Sequence, residues 1–323
     1  RHFRSDAADE PQGADALIAA SKGLRNYAGF LAEKRRMDLA RPLIWLALDY
    51  ARKVVEADPN SLEGWKSLAY TELLRDPMVP SARCRVPFDP LYDLTPARAT
   101  YALRRASALA PGDFLTLAML QQTYETRGML ESIPPILDRI LAHQPINEEQ
   151  ARLQSVSEAK RLQIAQHLAE PVPSSWSNLD ELDRAVQRQL ELGRIETAVR
   201  LLESAYPPER AGWDAAARIS TLLIHLGEPG KARSYLQKVV EDPRPALRAS
   251  RLGLCDLIEG RFADARTFFH QALEEDPNLF EARYMLAVLE QDQARASAAY
   301  EQAAAAVKCA PDEVARSAAQ AIL

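Results

Sequence analysis

An all-α solenoid of stacked helix pairs is the fold class this sequence predicts, on three observations. Prolines recur at a fixed step: Pro111 to Pro145, Pro243 to Pro277 and Pro277 to Pro311 are each 34 residues apart. A small residue stands five positions before three of these prolines, at Ala106, Ala272 and Ala306. One side-chain pattern also returns in frame, as Gly260, Ala265, Phe269, Ala272, then Gly193, Ala198, Leu202, Ala205, then Gly227, Ala232, Leu236, Val239.

The pattern has a physical reading. Ala265, Phe269 and Ala272 fall on one helical face at steps of four and three. The small residues let two backbones approach and the ring fills the space between them. Gly260 permits the turn between the paired helices, and Pro277 stops the second helix because it has no N–H to donate. First helices stand upstream, at Leu252-Gly253, at Leu286-Ala287 and at Trp65 with Leu68-Ala69. A pair of this kind cannot hide its apolar side alone, so neighbours must stack.

In chain order, residues 1–14 are polar without an apolar period and read as a loose tail. N-terminal helix pairs occupy 15–145, the first from Asp15 to Ala57 with Pro42 near the start of its second helix. The step from Pro59 to Pro111 is 52 residues, which places an 18-residue excess between the helices of the second pair. This insertion, 76–95, carries Pro77, Pro80, Pro87 and Pro90 and is expected to dock on the array as an ordered flap. Residues 146–178 form a long helix, with Asn147 as N-cap and Gln150 three residues on, followed by the hinge PVPSSWSN. The frame resumes over 179–311, and 312–323 is a capping helix.

At these residues the chain resembles the tetratricopeptide repeat family, whose 34-residue helix-turn-helix carries Trp, Leu-Gly, Tyr, Ala, Phe, Ala and Pro at set places. The resemblance spans about 280 residues and is densest from Leu179 to Pro311. Ala249 and Arg283 hold the Trp place in two late repeats, and the last repeat has no Gly between its helices. The resemblance implies a right-handed superhelix whose first helices line a concave groove for a peptide or partner helix. Carried across residue by residue, the groove positions are Lys66, Tyr70, Gln122, Arg184, Gln187, Arg218, Thr221, His225, Ser250, Arg251, Leu254 and Tyr284. Arg184, Arg218 and Arg251 fall at the same place of three consecutive repeats, a row suited to bidentate bonds with carboxylates. The alternative is that each arginine pairs with a neighbouring acid such as Asp180, Asp183 or Asp214. The family's clamp for a C-terminal carboxylate uses Asn and Lys, and Gln187, Thr221 and Leu254 stand at its Asn place.

Composition narrows the function further. With 40 basic and 45 acidic residues the chain carries a formal charge of -5, which argues against nucleic acid and anionic membranes as partners. The run LIWLAL at 43–48 is far short of the roughly 20 apolar residues a spanning helix needs. Cys84, Cys255 and Cys309 are too dispersed for a disulfide framework or a zinc site, although Arg83 and Arg85 flank Cys84. The five histidines show no ligand spacing, and GEPGKA at 227–232 lacks the spacing and hydroxyl of a phosphate loop. His225 and Cys255, on neighbouring first helices, read as packing rather than a dyad. No cofactor or metal is implied. The sequence thus predicts a non-enzymatic scaffold or adaptor for a polypeptide, oligomeric state open. The alternatives are an interaction domain of a larger enzyme or anchored protein, which the ends Arg1 and Leu323 suggest, and an RNA-binding helical repeat. The compartment reads as cytoplasmic, or as extracytoplasmic if the chain is part of an anchored protein.

Overall fold

A computed structural model describes residues 11–75, 94–173, 175–239 and 243–323. The 76–95 insertion, with Cys84, lies outside them except for its last two residues, which begin a helix. Among the described residues there are sixteen α-helices and no strand. They form seven antiparallel pairs, one long connecting helix and a terminal helix.

Three pairs make the N-terminal array: α1 (Ala14–Glu33) with α2 (Met37–Ala57), α3 (Leu62–Arg75) with α4 (Leu94–Leu109), and α5 (Phe114–Thr126) with α6 (Ile133–Leu141). Helix α7 (Glu148–His167) follows. The C-terminal array pairs α8 (Leu179–Glu191) with α9 (Ile195–Ala205), α10 (Trp213–His225) with α11 (Pro229–Gln237), α12 (Pro245–Glu259) with α13 (Phe262–Glu275), and α14 (Phe280–Asp292) with α15 (Ala296–Cys309). Helix α16 (Glu313–Gln320) ends the stack.

The small-aromatic-small face packs as the pattern requires: Ala265, Phe269 and Ala272 are fully buried. A Cβ placed on Gly253 would lie 2.7 Å from the Phe269 ring, so the glycine sets how closely α12 and α13 approach. At the described turns within pairs one residue is left-handed, at Gly128, Gly193, Gly227 and Gly260, and at Arg35 and Ala294 where no glycine is present. The last repeat therefore keeps the turn geometry with alanine, at a backbone cost of about 1 kcal/mol.

Helix starts follow local chemistry. Asn147 accepts from the N–H of Gln150, and the Gln150 side chain accepts from the N–H of Ile146 rather than from that of the cap. Asn178 and Glu181 repeat the arrangement at α8, with Glu181 accepting from Ser177. Pro42 departs from expectation. Helix α2 begins at Met37, so Pro42 lies inside it, past the first-turn positions whose N–H groups have no partner anyway.

The arrays do not run on as one open solenoid. After α7 the chain turns back, and the turns of the C-terminal array dock along the N-terminal one. Glu131 N–H donates to Gly193 O (3.1 Å), and its carboxylate accepts from Thr197 N–H (2.8 Å). A Cβ on Gly193 would lie 2.6 Å from Gly128 O, so only glycine fits where the two turns meet. Gly227 lies against Thr100 and Tyr101, and beside it Arg104 pairs with Glu228 at 2.6 Å. Farther along, Arg52 sits over the Phe262 ring, 5.0 Å from its centre.

The seam ends in a buried charge cluster. Asp292, at the end of α14, accepts from Arg98 Nη1 (2.6 Å), Arg75 Nη1 (2.8 Å) and Arg52 Nη2 (3.4 Å). Glu72 joins from α3, 3.3 Å from Arg52 and 3.7 Å from Arg75. All five residues are buried. Burial opposes ionisation of Asp292, but the three guanidiniums outweigh it and hold the carboxyl well below the usual range.

Candidate functional site

The twelve expected groove residues separate into two sets. Gln122, Arg184 and Gln187 are exposed on α5 and α8. Arg184 Nε donates to Asp180 O at 3.2 Å, which leaves its guanidinium at the surface. Arg218 pairs with Asp183 of the preceding first helix. Arg251 Nη1 donates to Ala217 O (2.8 Å) and Thr221 Oγ1 (3.0 Å), and its guanidinium lies 5.8 Å from the centre of the Trp213 ring. Of the three arginines on α8, α10 and α12, only Arg218 pairs with an acid; Arg184 is bonded to a backbone carbonyl of its own helix and Arg251 to a carbonyl and a hydroxyl of the preceding first helix. Lys66 is held between Glu63 (3.0 Å) and Asp113 (3.3 Å), and Tyr70 is half-buried under Arg25.

The other four are buried, and the groove reading of them is corrected. His225 is 1% exposed, with Nδ1 2.6 Å from Arg127 Nη2. Burial, and then the Arg127 charge, lower its pKa well below 6.5. Ser250 and Leu254 lie on α12, which packs against both α14 and α4. Tyr284 stacks on Phe280, near Arg75. For His225 and Tyr284 the cause is the chain reversal, which brings Arg127 and Arg75 of the N-terminal helices against them.

His225 therefore faces Arg127. Cys255 is fully buried, and burial pushes its thiol up to about 12, so it supplies no nucleophile. GEPGKA is an inter-helix turn, with Gly227 left-handed and Pro229 opening α11. Glu274, Glu275 and Asp276 form an exposed helix end. Among the described residues no cluster of three or more His, Cys, Asp or Glu is placed to hold a metal ion, and no helix is long and apolar enough to cross a membrane.

A cleft lies between α8, α9 and α10, walled by Asp183, Tyr206, Trp213, Arg218 and Pro243. Arg218 and Asp183 form its charged rim, with side chains 37% and 61% exposed. An exposed pair of this kind contributes about 0–1 kcal/mol, so Arg218 exchanges readily to another carboxylate. Trp213, under the Arg251 guanidinium, and Tyr206 line the same cleft.

The buried five-residue cluster escaped sequence reading because Arg, Glu and Asp on helices ordinarily read as solvated. A signal did exist. Arg52 sits in the apolar stripe of Ile44, Leu48 and Val55, and Arg98 sits between Leu94 and Ala102 at steps of four.

Comparison with known proteins agrees with the helix pairs. Residues 256–323 match the tetratricopeptide repeat family model. No curated protein matches the chain significantly. Among solved structures it is similar to YrrB, a TPR protein with an unusual peptide-binding site, at 18% identity over 68% of this chain and 98% of that one, TM-score 0.31. It is also similar to the TPR2AB domain of yeast Sti1 in complex with pHSP90, at 15% identity over 96% and 95% of the two chains, TM-score 0.29. A third is the P58(IPK) TPR domain, at 12% identity over 94% and 97%, TM-score 0.32.

Proposed function

We propose that this chain is a non-enzymatic scaffold that holds an acidic segment of a partner polypeptide along the exposed face of α8, α10 and α12. The observation that carries the reading is the cleft that the exchangeable Arg218 lines together with Trp213 and Tyr206. Arg184 and Gln187 extend the strip towards the hinge, and Gln122 adds an exposed position on α5. A carboxylate fits the arginine fork and an adjacent apolar side chain fits the two rings, the anchor chemistry that dominates small interfaces. Repeat proteins suit this task because the stacked core is separate from the surface residues, which are free to vary. The formal charge of -5 favours a polypeptide over nucleic acid.

The test is a peptide array followed by fluorescence anisotropy on the acidic peptides it selects. Arg184→Ala with Arg218→Ala should weaken binding at least tenfold, with the larger loss at low salt. Unchanged affinity in the double variant would remove the strip from the reading.

A further inference from the structure

A second cavity lies in the seam between the arrays, about 350 Å³ in volume. That size suits a small ligand. Its walls come from α2, α3 and α4 on one side and from the α12–α13 turn on the other. Val55, Leu68, Leu257 and Phe262 make part of it apolar, and Arg52, Arg98, Arg105 and Arg261 make part of it cationic.

Counting charges shows an imbalance. In the adjoining cluster, three guanidiniums (Arg52, Arg75, Arg98) share two carboxylates (Glu72, Asp292), so the buried cluster carries a net charge of +1. Two donors of the cluster, Arg98 Nη2 and Arg75 Nε, have no acceptor, against one acceptor, Glu72 Oε2, that has no donor. Arg261 is answered by Asp256 and Glu259. Arg105 has no direct ion pair among the described residues: its guanidinium lies 5.6 Å from the centre of the Trp65 ring, its Nε lacks an acceptor, and Glu259 acts on it only across the cavity. Glu56, the remaining acid of the lining, is exposed. A buried excess charge is costly, and an anion is what relieves it.

From this we infer that the seam cavity is a binding site for a carboxylate carried on an apolar body, the carboxylate taken by Arg105 beside Arg52 and Arg98 and the body by the apolar wall. Either a small organic acid or the free C-terminus of a polypeptide ending in an apolar residue presents this chemistry. Because both arrays line the cavity, the bound anion also holds them together.

Isothermal titration with phenylacetate and with the tripeptide Gly-Gly-Phe, each against its C-terminal amide, tests the inference. Saturable binding of a free acid with at least tenfold weaker binding of its amide is expected, and the tighter of the two acids identifies the source. Arg105→Gln should weaken the binding at least tenfold. Glu56→Gln, at an exposed position, should tighten it. The inference is overturned if neither acid binds, if the amides bind as well as the acids, if inorganic phosphate binds more tightly than either, or if both variants match the wild type.

Discussion

Replacing Asp292 with asparagine keeps the shape of the side chain and removes the charge that three buried arginines share. The three ion pairs that this charge makes span 2.6, 2.8 and 3.4 Å. At an effective dielectric constant of about 20, one pair with charges about 4 Å apart is worth ~4 kcal/mol before desolvation. The variant recovers the desolvation of Asp292 itself but leaves three guanidiniums facing Glu72 alone. Breaking a buried ion pair from one side costs about 3–5 kcal/mol, and that is the expected loss here. Against a typical stability of about 5–15 kcal/mol this is a large fraction.

Urea unfolding measures the loss, with Glu313→Gln, which breaks the exposed pair with Arg316, as the reference at about 0.5 kcal/mol or less. The pH dependence adds a second check. Asp292 has a folded-state pKa depressed below its ordinary 3.8, so its contribution is fully present above about pH 4 and is lost as acid titrates the carboxyl. The gap between wild type and variant should therefore stay level from pH 5 to 8 and close only below pH 4. A loss no larger than that of Glu313→Gln, or a gap that closes near neutrality, would refute the account of a buried, charge-locked cluster.

Three other outcomes are expected. Ala272→Trp should destabilise by about 3 kcal/mol because Ala272 is fully buried beside Ala249 and Ala282, while exposed Glu274→Ala should stay within about 0.5 kcal/mol; thermal melts of the pair check this. Gly260→Ala should cost about 1 kcal/mol from its left-handed backbone alone, since a Cβ there meets nothing within 4 Å, and calorimetry reads the difference. His225 should stay neutral at pH 6 when followed by NMR titration. Because its folded-state pKa is lowered, its contribution to stability is whole above about pH 6.5 and declines as acid protonates the unfolded chain, a slope that His225→Gln should remove.

The helix pairs were legible because their determinants are local: Gly253, Phe269 and Ala272 sit within one repeat and speak directly to each other. The helix cap at Asn147 was legible for the same reason, and the one the structure adds at Asn178 is equally local. The chain reversal was not, because its contacts join residues such as Arg52 and Asp292 that no period relates. The groove positions suffered most from this. His225 and Tyr284 stand at the right places in their repeats, and what buries them arrives from the other array.

The doubled-back path also sets an order of assembly. Contacts inside a repeat close loops of some 34 residues, whereas Arg98 and Arg52 lie 194 and 240 residues from Asp292. Loop closure over 240 residues costs about 2 kcal/mol more in chain entropy than closure over one repeat. Each half thus gains its rows of helices early, and the union of the halves comes late in the folding reaction. On mild heating the order reverses, and the junction parts while the rows on either side still hold.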